Sequence, residues 1–317
     1  MTLGRASVTR RLRTHAFGLD LRFDSLAPPG AWAERAAGAD DVVLTAATAA
    51  ELEAAWSGLA EPGWEATIDA ARFAVERGTA GDHRFLHDGR TLAHLSASAA
   101  VLLCAVGDGA SAVRDWRVLL DSVLFSVALL RGHDALHAGA VALGDRAVAI
   151  AAGTGGGKST LLAELVGAGT ELLSDDVVVV GPGIEQPLPA HPGPPLMTVP
   201  SALQQSPGEL LADLGEEAWR AVPVVATARP LGAIVLLHRD GEGAPQLEPV
   251  ERPLAPLLSM LLNFPRTAER EGRRFELAAA LAETVPIRRL RAGTEVPPAE
   301  LAATVRTLDF DTDPGHV

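Results

Sequence analysis

The sequence predicts an α/β fold, with an N-terminal α+β region over residues 1–132 and a second domain over residues 133–310. Two observations support this division. After residue 133, predicted strands and helices alternate, and a strand pattern leads through a glycine-rich segment into a helical pattern. At 317 residues, the chain is long enough for two modest domains. Residues 311–317 are predicted to form a flexible tail.

The N-terminal region combines strand patterns with one long helix. Alternation of apolar and polar side chains predicts strands over residues 17–23, 41–45, 84–87 and 92–95. The last two strands flank Asp88-Gly89, a dipeptide typical of tight β-hairpin turns. Residues 110–131 place apolar side chains three and four positions apart, which predicts a helix.

The second domain is predicted to alternate strands and helices. Strands are expected over residues 135–143, 146–151, 171–173, 177–180, 232–238 and 287–290. Helices are expected over residues 159–166, 207–214, 255–263, 275–283 and 298–308. This order is typical of nucleotide-binding α/β domains.

The composition argues against several classes of protein. A formal net charge of −13 and a pI of about 5.1 argue against a nucleic-acid partner, which would require a positive surface. No apolar stretch reaches the roughly 20 residues that a membrane helix needs. The single cysteine, Cys104, lies in an apolar run and is expected to be a small buried side chain. We therefore expect a soluble, cytoplasmic protein with no membrane partner.

The glycine-rich segment has the pattern of a P-loop, and it contains Lys158, the only lysine of the chain. Its candidate nucleotide-binding residues are Gly153, Thr154, Gly155, Gly156, Gly157, Lys158, Ser159 and Thr160. In a P-loop, glycines allow backbone N–H groups to converge on phosphate oxygens, the lysine reaches the β- and γ-phosphates, and the hydroxyl holds Mg²⁺. Ala152 stands at the first glycine of the motif. Alanine is tolerated there if φ is negative, whereas a left-handed φ would change the loop.

Two adjacent acids, Asp175 and Asp176, follow the strand predicted at residues 171–173. Beside a P-loop, one acid could serve Mg²⁺ while the other accepts a proton from an attacking hydroxyl, although a solvated turn is the alternative. His137 precedes the P-loop, and the residues around it allow either a structural or a functional role.

Taken together, His137, residues 152–160 and the Asp175-Asp176 pair resemble the catalytic domain of HPr kinase/phosphorylase and its relatives, which share a phosphoenolpyruvate carboxykinase-like fold. The order and spacing look the same, with 15 positions from His137 to Ala152 and 23 from Ala152 to Asp175. The resemblance implies that Asp175 is the general base on an acceptor serine and that His137 tunes its proton. It also implies that Asp176 and Ser159 hold Mg²⁺, with ATP as the phosphoryl donor.

The resemblance ends in the Pro-rich segment 192–200, where the family's bifunctional members carry a Glu-containing Arg-Gly signature. A third acidic metal ligand is thus missing from its expected place, so phosphorylase activity is not expected. The N-terminal region instead looks like HPr-kinase-related proteins found beside peptide natural-product genes, which include lasso-peptide kinases.

These features predict an enzyme, a Mg²⁺-assisted, ATP-dependent kinase that phosphorylates a serine hydroxyl of a peptide or protein. The alternatives are a P-loop NTPase, a small-molecule kinase or a non-catalytic nucleotide-binding scaffold, and the sequence also allows a homo-oligomer.

Overall fold

A computed structural model describes residues 11–35, 41–68, 71–203, 206–263 and 268–310. Its described residues divide into two compact units, one that ends at Gly132 and one that begins at His133. Both units combine helices with sheets, and strands predominate. The chain is therefore a mixed α/β protein, in agreement with the broad fold class predicted from the sequence.

In the first unit, the described strands form one sheet of eight. The strands are β1 (Leu12–Ala16), β2 (Leu19–Asp24), β3 (Val42–Ala46), β4 (Leu59–Ile68), β5 (Ala71–Gly78), β6 (His83–His87), β7 (Arg90–Leu95) and β8 (Val101–Cys104). Their order in the sheet is β1-β2-β3-β8-β7-β6-β5-β4. The helices are α1 (Ala49–Ala55), α2 (Ala110–Val118) and α3 (Leu124–Leu130). The predicted hairpin is confirmed, because β6 and β7 pair antiparallel around Asp88 and Gly89, which both have positive φ.

Two predictions for the first unit need correction. The strand predicted at residues 17–23 begins two residues later, at Leu19, because Phe17 and Gly18 take φ values of 54° and 78° and form the turn between β1 and β2. The single helix predicted at residues 110–131 is interrupted by a π-helical turn over Leu119–Val123, between α2 and α3. Apolar spacing does not reveal such a turn, since its residues Leu119, Leu120 and Val123 are still buried.

In the second unit, a mixed sheet carries the glycine-rich loop. Its strands are β9 (Asp134–His137), β10 (Gly139–Leu143), β11 (Arg146–Ala152), β12 (Glu171–Ser174), β13 (Val177–Val180), β14 (Pro189–Ala190), β18 (Arg229–Gly241), β19 (Gln246–Pro249) and β20 (Ile287–Gly293). A smaller sheet contains β15 (Leu196–Pro200), β16 (Glu209–Asp213) and β17 (Glu217–Ala221). The helices are α4 (Lys158–Gly167), α5 (Leu254–Met260), α6 (Ala268–Thr284) and α7 (Pro298–Val305).

Three parallel strands, β11, β18 and β20, lie at the centre of the mixed sheet. Val148 and Ile150 of β11 belong to an apolar cluster that also includes side chains of α4 and α7. Ala149 and Ala151 belong to a second cluster, which includes side chains of α5 and α6. The central strands are thus buried on both faces, where each large apolar side chain contributes about 2 kcal/mol. This core fixes the strand edge from which the glycine-rich loop leaves.

The helix predicted at residues 207–214 is wrong, since Glu209–Asp213 form strand β16. That segment pairs antiparallel with β17, and Gly215 makes the connection with a φ of 91°. A Cβ on Gly208 would lie 2.0 Å from the carbonyl oxygen of Ala221, so the pairing requires glycine there. Tertiary pairing overrides the local helical pattern.

The single strand predicted at residues 135–143 is divided into two strands, β9 and β10, which are separated at Ala138. The two strands have different partners, because β9 pairs with β13 while β10 pairs with β11 and β12. The segment that pairs with β9 and β10 is also interrupted, at Asp175 and Asp176, between β12 and β13. The two breaks therefore coincide, and they bring the end of β9 next to the pair of acids.

Candidate active site

The glycine loop, defined as residues Gly153–Gly157, connects strand β11 to helix α4. Ala152 ends the strand opposite Leu237 and is not among the residues with positive φ. The left-handed conformation that would exclude alanine is therefore absent at this position. Gly155 and Gly157 do take positive φ values, of 72° and 89°, which favour glycine.

At the N-terminus of α4, which follows the loop, the described part of the structure shows no side-chain hydrogen bond that caps the first turn. The Gly156 N–H donates to the Gly153 carbonyl at 2.8 Å, which closes the loop on itself. A Cβ on Gly156 would approach that carbonyl oxygen to 2.8 Å, so a larger residue would distort the turn. The first N–H groups of a helix have no partners within the helix, and its N-terminal end attracts anions. This arrangement suits a phosphate group.

Lys158 begins α4, and its side chain turns towards the acids. Its Nζ lies 2.5 Å from Asp176 Oδ1, within hydrogen-bond distance. Burial would lower the pKa of Lys158, but the charges of Asp176 and Asp175 outweigh this effect and raise it. Lys158 is therefore a fixed positive charge at the end of the glycine loop.

Asp176 also contacts His137, whose Nε2 lies 3.4 Å from the same Oδ1 atom. The register explains this contact, because His137 pairs with Val177, the residue that follows Asp176. Burial would raise the pKa of Asp176, but hydrogen bonds from His137 and Lys158 and the charge of Lys158 hold it well below its usual range. The resemblance implied an action of His137 on Asp175, whereas the contact found is with Asp176.

Asp176 has a φ of 58°, an uncommon left-handed conformation that aspartate tolerates better than most residues. The turn is held by Ser174, whose Oγ donates to the Val177 carbonyl at 2.5 Å, and by the Val177 N–H, which donates to the Asp175 carbonyl at 2.6 Å. The tight turn directs the two acids to different surroundings. The side chain of Asp176 is 60% exposed, whereas the Oδ1 atom of Asp175 is buried.

Only one of the two carboxylate oxygens of Asp175 accepts a hydrogen bond within the described structure. Its Oδ2 accepts a hydrogen bond from the Thr198 N–H at 2.8 Å, while its buried Oδ1 has no hydrogen-bond partner. Burial raises the pKa of Asp175 to about 6, against the opposing effect of Lys158. A buried carboxylate oxygen without a partner suits a site that receives a proton donor or a cation.

The remaining predicted residues lie in or beside the loop. Ser159 and Thr160 belong to the first turn of α4 and are half-buried, while Thr154 is exposed in the loop. In the part of the chain that the structure describes, no three His, Cys, Asp or Glu side chains are grouped as metal ligands. Mg²⁺ commonly binds through one or two protein oxygens together with phosphates and water, so Ser159 and Asp176 remain a suitable donor set.

Sequence reasoning missed three residues of this region. Thr198 fixes Asp175 from strand β15. Glu217, on the neighbouring strand β17, helps to raise the pKa of Lys158 through its charge. Arg239, at the end of β18, lies beside Gly157. Their contacts depend on strand pairing over long sequence distances, for which the sequence offered no local signal.

Cys104 is buried, as the apolar sequence around it predicted. Cys104 is fully buried in the first unit, and burial raises the pKa of its thiol, so it is unreactive. Within the described residues, every helix is too short or too polar to cross a membrane.

Comparison with known proteins gives a distant structural likeness. No protein-family profile and no curated protein matches the sequence. Among solved structures, the HPr(Ser) kinase/phosphatase from Coxiella burnetii matches over 54% of this chain and 93% of that chain, with 20% identity and a TM-score of 0.27. That likeness is distant.

Proposed function

We propose that the second unit is a P-loop kinase domain that transfers the γ-phosphoryl group of ATP to a hydroxyl group. The observation that supports this most directly is the contact of Lys158 with Asp176 at the end of a glycine loop, beside Asp175. A site for phosphoryl transfer needs a phosphate cradle, a cation and a proton acceptor. The glycine loop, Lys158 and Asp175 correspond to these three requirements.

The glycine loop and α4 would bind the phosphates through backbone N–H groups. Lys158 would leave Asp176 to contact the β- and γ-phosphate oxygens. Ser159 and Asp176 would hold Mg²⁺, which offsets the negative charge of the phosphate oxygens when bound. The exposed Asp176 carboxylate fits such a donor set.

Asp175 would act as the general base. Its Oδ1 accepts the hydroxyl proton of the acceptor as the oxygen forms a bond to the γ-phosphorus, and the bond between that phosphorus and the β–γ bridging oxygen breaks to release ADP. The Thr198 N–H holds the other oxygen, which leaves Oδ1 to take the proton. His137 and Lys158 would keep Asp176 ionised and oriented.

We propose a serine of a peptide or protein as the acceptor, in line with the resemblance of the sequence to kinases of peptide precursors. Transfer to water is the second candidate, because the same loop, cation and base would also activate a water molecule.

The purified protein, γ-labelled ATP and Mg²⁺ should be incubated with peptides encoded by the neighbouring genes and with their Ser-to-Ala variants. Label on a serine-containing peptide, absent from its alanine variant, is the expected result. Release of inorganic phosphate alone would indicate an NTPase. Binding of ATP without transfer or hydrolysis would indicate a non-catalytic scaffold and contradict the proposal.

A further inference from the structure

Arg239 occupies a defined place at the edge of the central sheet. In the parallel pair of β11 and β18, Ala152 lies opposite Leu237, so Arg239 lies two residues beyond the level at which β11 ends and the glycine loop begins. Gly241 of β18 pairs with Gly293, where β20 ends. The register therefore places Arg239 between the glycine loop and the turn that follows β20.

The side chain of Arg239 connects these two segments. A Cβ on Gly157 would lie 3.4 Å from Arg239 Cδ, so the stem of the arginine packs against the last loop glycine. At its other end, Nη2 donates to the carbonyls of Thr294 and Val296, both at 2.6 Å, and lies 3.4 Å from the Gly293 carbonyl. The guanidinium thus holds the turn before α7 while its charge stays near the loop.

The partners of this charge differ from those of Lys158. Lys158 is bound to the carboxylate of Asp176, whereas the hydrogen bonds of Arg239 go to neutral carbonyls. Among the described residues, no carboxylate lies within ion-pair distance of Arg239, and its Nε is buried without a hydrogen-bond partner. A guanidinium with a buried, unsatisfied N–H and no counter-charge is unusual, and a nearby anion would explain it.

We propose that Arg239 is a positioning residue of the nucleotide site, which supplies a second positive charge for the phosphates of a nucleoside triphosphate and holds the turn at Gly293–Val296 against the glycine loop. This inference rests on the proposed function, since it requires a nucleotide at that loop. A charge that acts on phosphates favours ATP over ADP and ADP over AMP. A purely structural arginine would affect all three nucleotides equally.

The test is to titrate AMP, ADP and ATP, each with Mg²⁺, into the full-length protein and into three variants. Arg239→Met removes both the charge and the hydrogen bonds, Arg239→Gln keeps an amide donor without the charge, and Arg239→Lys keeps the charge without the fork. The matched control is Arg274→Met, because Arg274 also donates to a backbone carbonyl, that of Leu258. Melting temperatures of all variants separate loss of affinity from loss of stability.

Arg239→Met and Arg239→Gln should weaken ATP binding by roughly tenfold, ADP binding less and AMP binding least, while Arg239→Lys keeps most of the ATP affinity. Where Arg239→Met does not fold, the comparison of Arg239→Gln with Arg239→Lys gives the same answer. Equal losses for the three nucleotides, or equal ATP affinities of the Gln and Lys variants, would overturn the inference alone. A wild-type protein that binds no nucleotide would overturn the proposed function as well.

Discussion

Lys158 Nζ lies 2.5 Å from Asp176 Oδ1, so the only lysine of the chain is bound to the more exposed of the two acids. The carboxylate is 60% exposed, whereas the lysine side chain is 12% exposed. A phosphate that enters the loop therefore meets a lysine that is already positioned but is paired with a competing anion. The lysine has to exchange Asp176 for phosphate oxygens, and Asp176 then becomes available for a cation.

Because Lys158 has to exchange Asp176 for phosphate oxygens, Asp176→Asn should have opposite effects on the ATP affinity in the absence and in the presence of Mg²⁺. Without Mg²⁺, the variant should bind ATP several-fold more tightly than the wild type, because no carboxylate competes for Lys158. With Mg²⁺, the gain in affinity that the cation gives the wild type should be lost. Isothermal titration at fixed ionic strength measures both, with Asp145→Asn as the control because Asp145 is 89% exposed. Unchanged Mg²⁺ stimulation in Asp176→Asn would contradict the metal role.

The role of Asp175 as the base predicts a separation of binding from turnover. Asp175→Asn should bind ATP with nearly wild-type affinity, because the amide keeps the shape of the carboxylate and an oxygen that can accept from the Thr198 N–H. Phosphoryl transfer should fall by about 10²–10⁴-fold, the range that general-base catalysis contributes. Single-turnover transfer of labelled phosphate is the measurement, and retained transfer in this variant would contradict the assignment of the base.

A buried cluster in the first unit predicts a pH-dependent stability that is independent of the active site. Asp82 accepts hydrogen bonds from Ser57 and contacts His94 Nε2 at 2.7 Å. Burial would raise the pKa of Asp82, but the bonds to Ser57 and His94 outweigh it and lower the pKa to about 2. Since the folded pKa is below the ordinary value, the ionised group stabilises the unit above about pH 4, and this contribution is lost as the pH falls towards 2.

Asp82→Asn should therefore lower the free energy of unfolding by about 2 kcal/mol at pH 7, with a difference from the wild type that shrinks between pH 4 and pH 2. Trp56 lies 6.4 Å from His94 and reports the cluster by fluorescence during urea unfolding. Asp108→Asn, at an exposed aspartate, serves as the control. A difference that stays constant down to pH 2 would show that the carboxylate charge is not responsible.

Local signals were sufficient to predict the elements around the glycine loop. The apolar pattern of residues 146–151 and the helical pattern of residues 159–166 match β11 and α4 within one residue. The interior of the strand is buried, and the helix buries one apolar face, so both patterns are strong. The β16 segment was mispredicted as a helix because its strand character comes from β17 and not from its own residues.

The candidate site shows the same difference between local sequence signals and contacts made by long-range strand pairing. The glycine loop, His137 and the acid pair could be selected from the sequence. The pairing of His137 with Val177 explains why His137 lies next to the acids. The contact of Thr198 with Asp175 spans 23 positions, and Arg239 reaches the loop only through the parallel pairing of β11 with β18. Neither residue carries a local pattern that marks it as part of a site.

The most direct test of the account is the equilibrium binding of ATP, with Mg²⁺, to the wild-type protein and to Lys158→Met, measured by isothermal titration. The methionine keeps the length and packing of the stem and removes only the charge. We expect the wild type to bind ATP at one site and the variant to bind at least about tenfold more weakly, with an unchanged melting temperature. Equal ATP affinities of the two proteins would contradict the claim that Lys158 holds the phosphates.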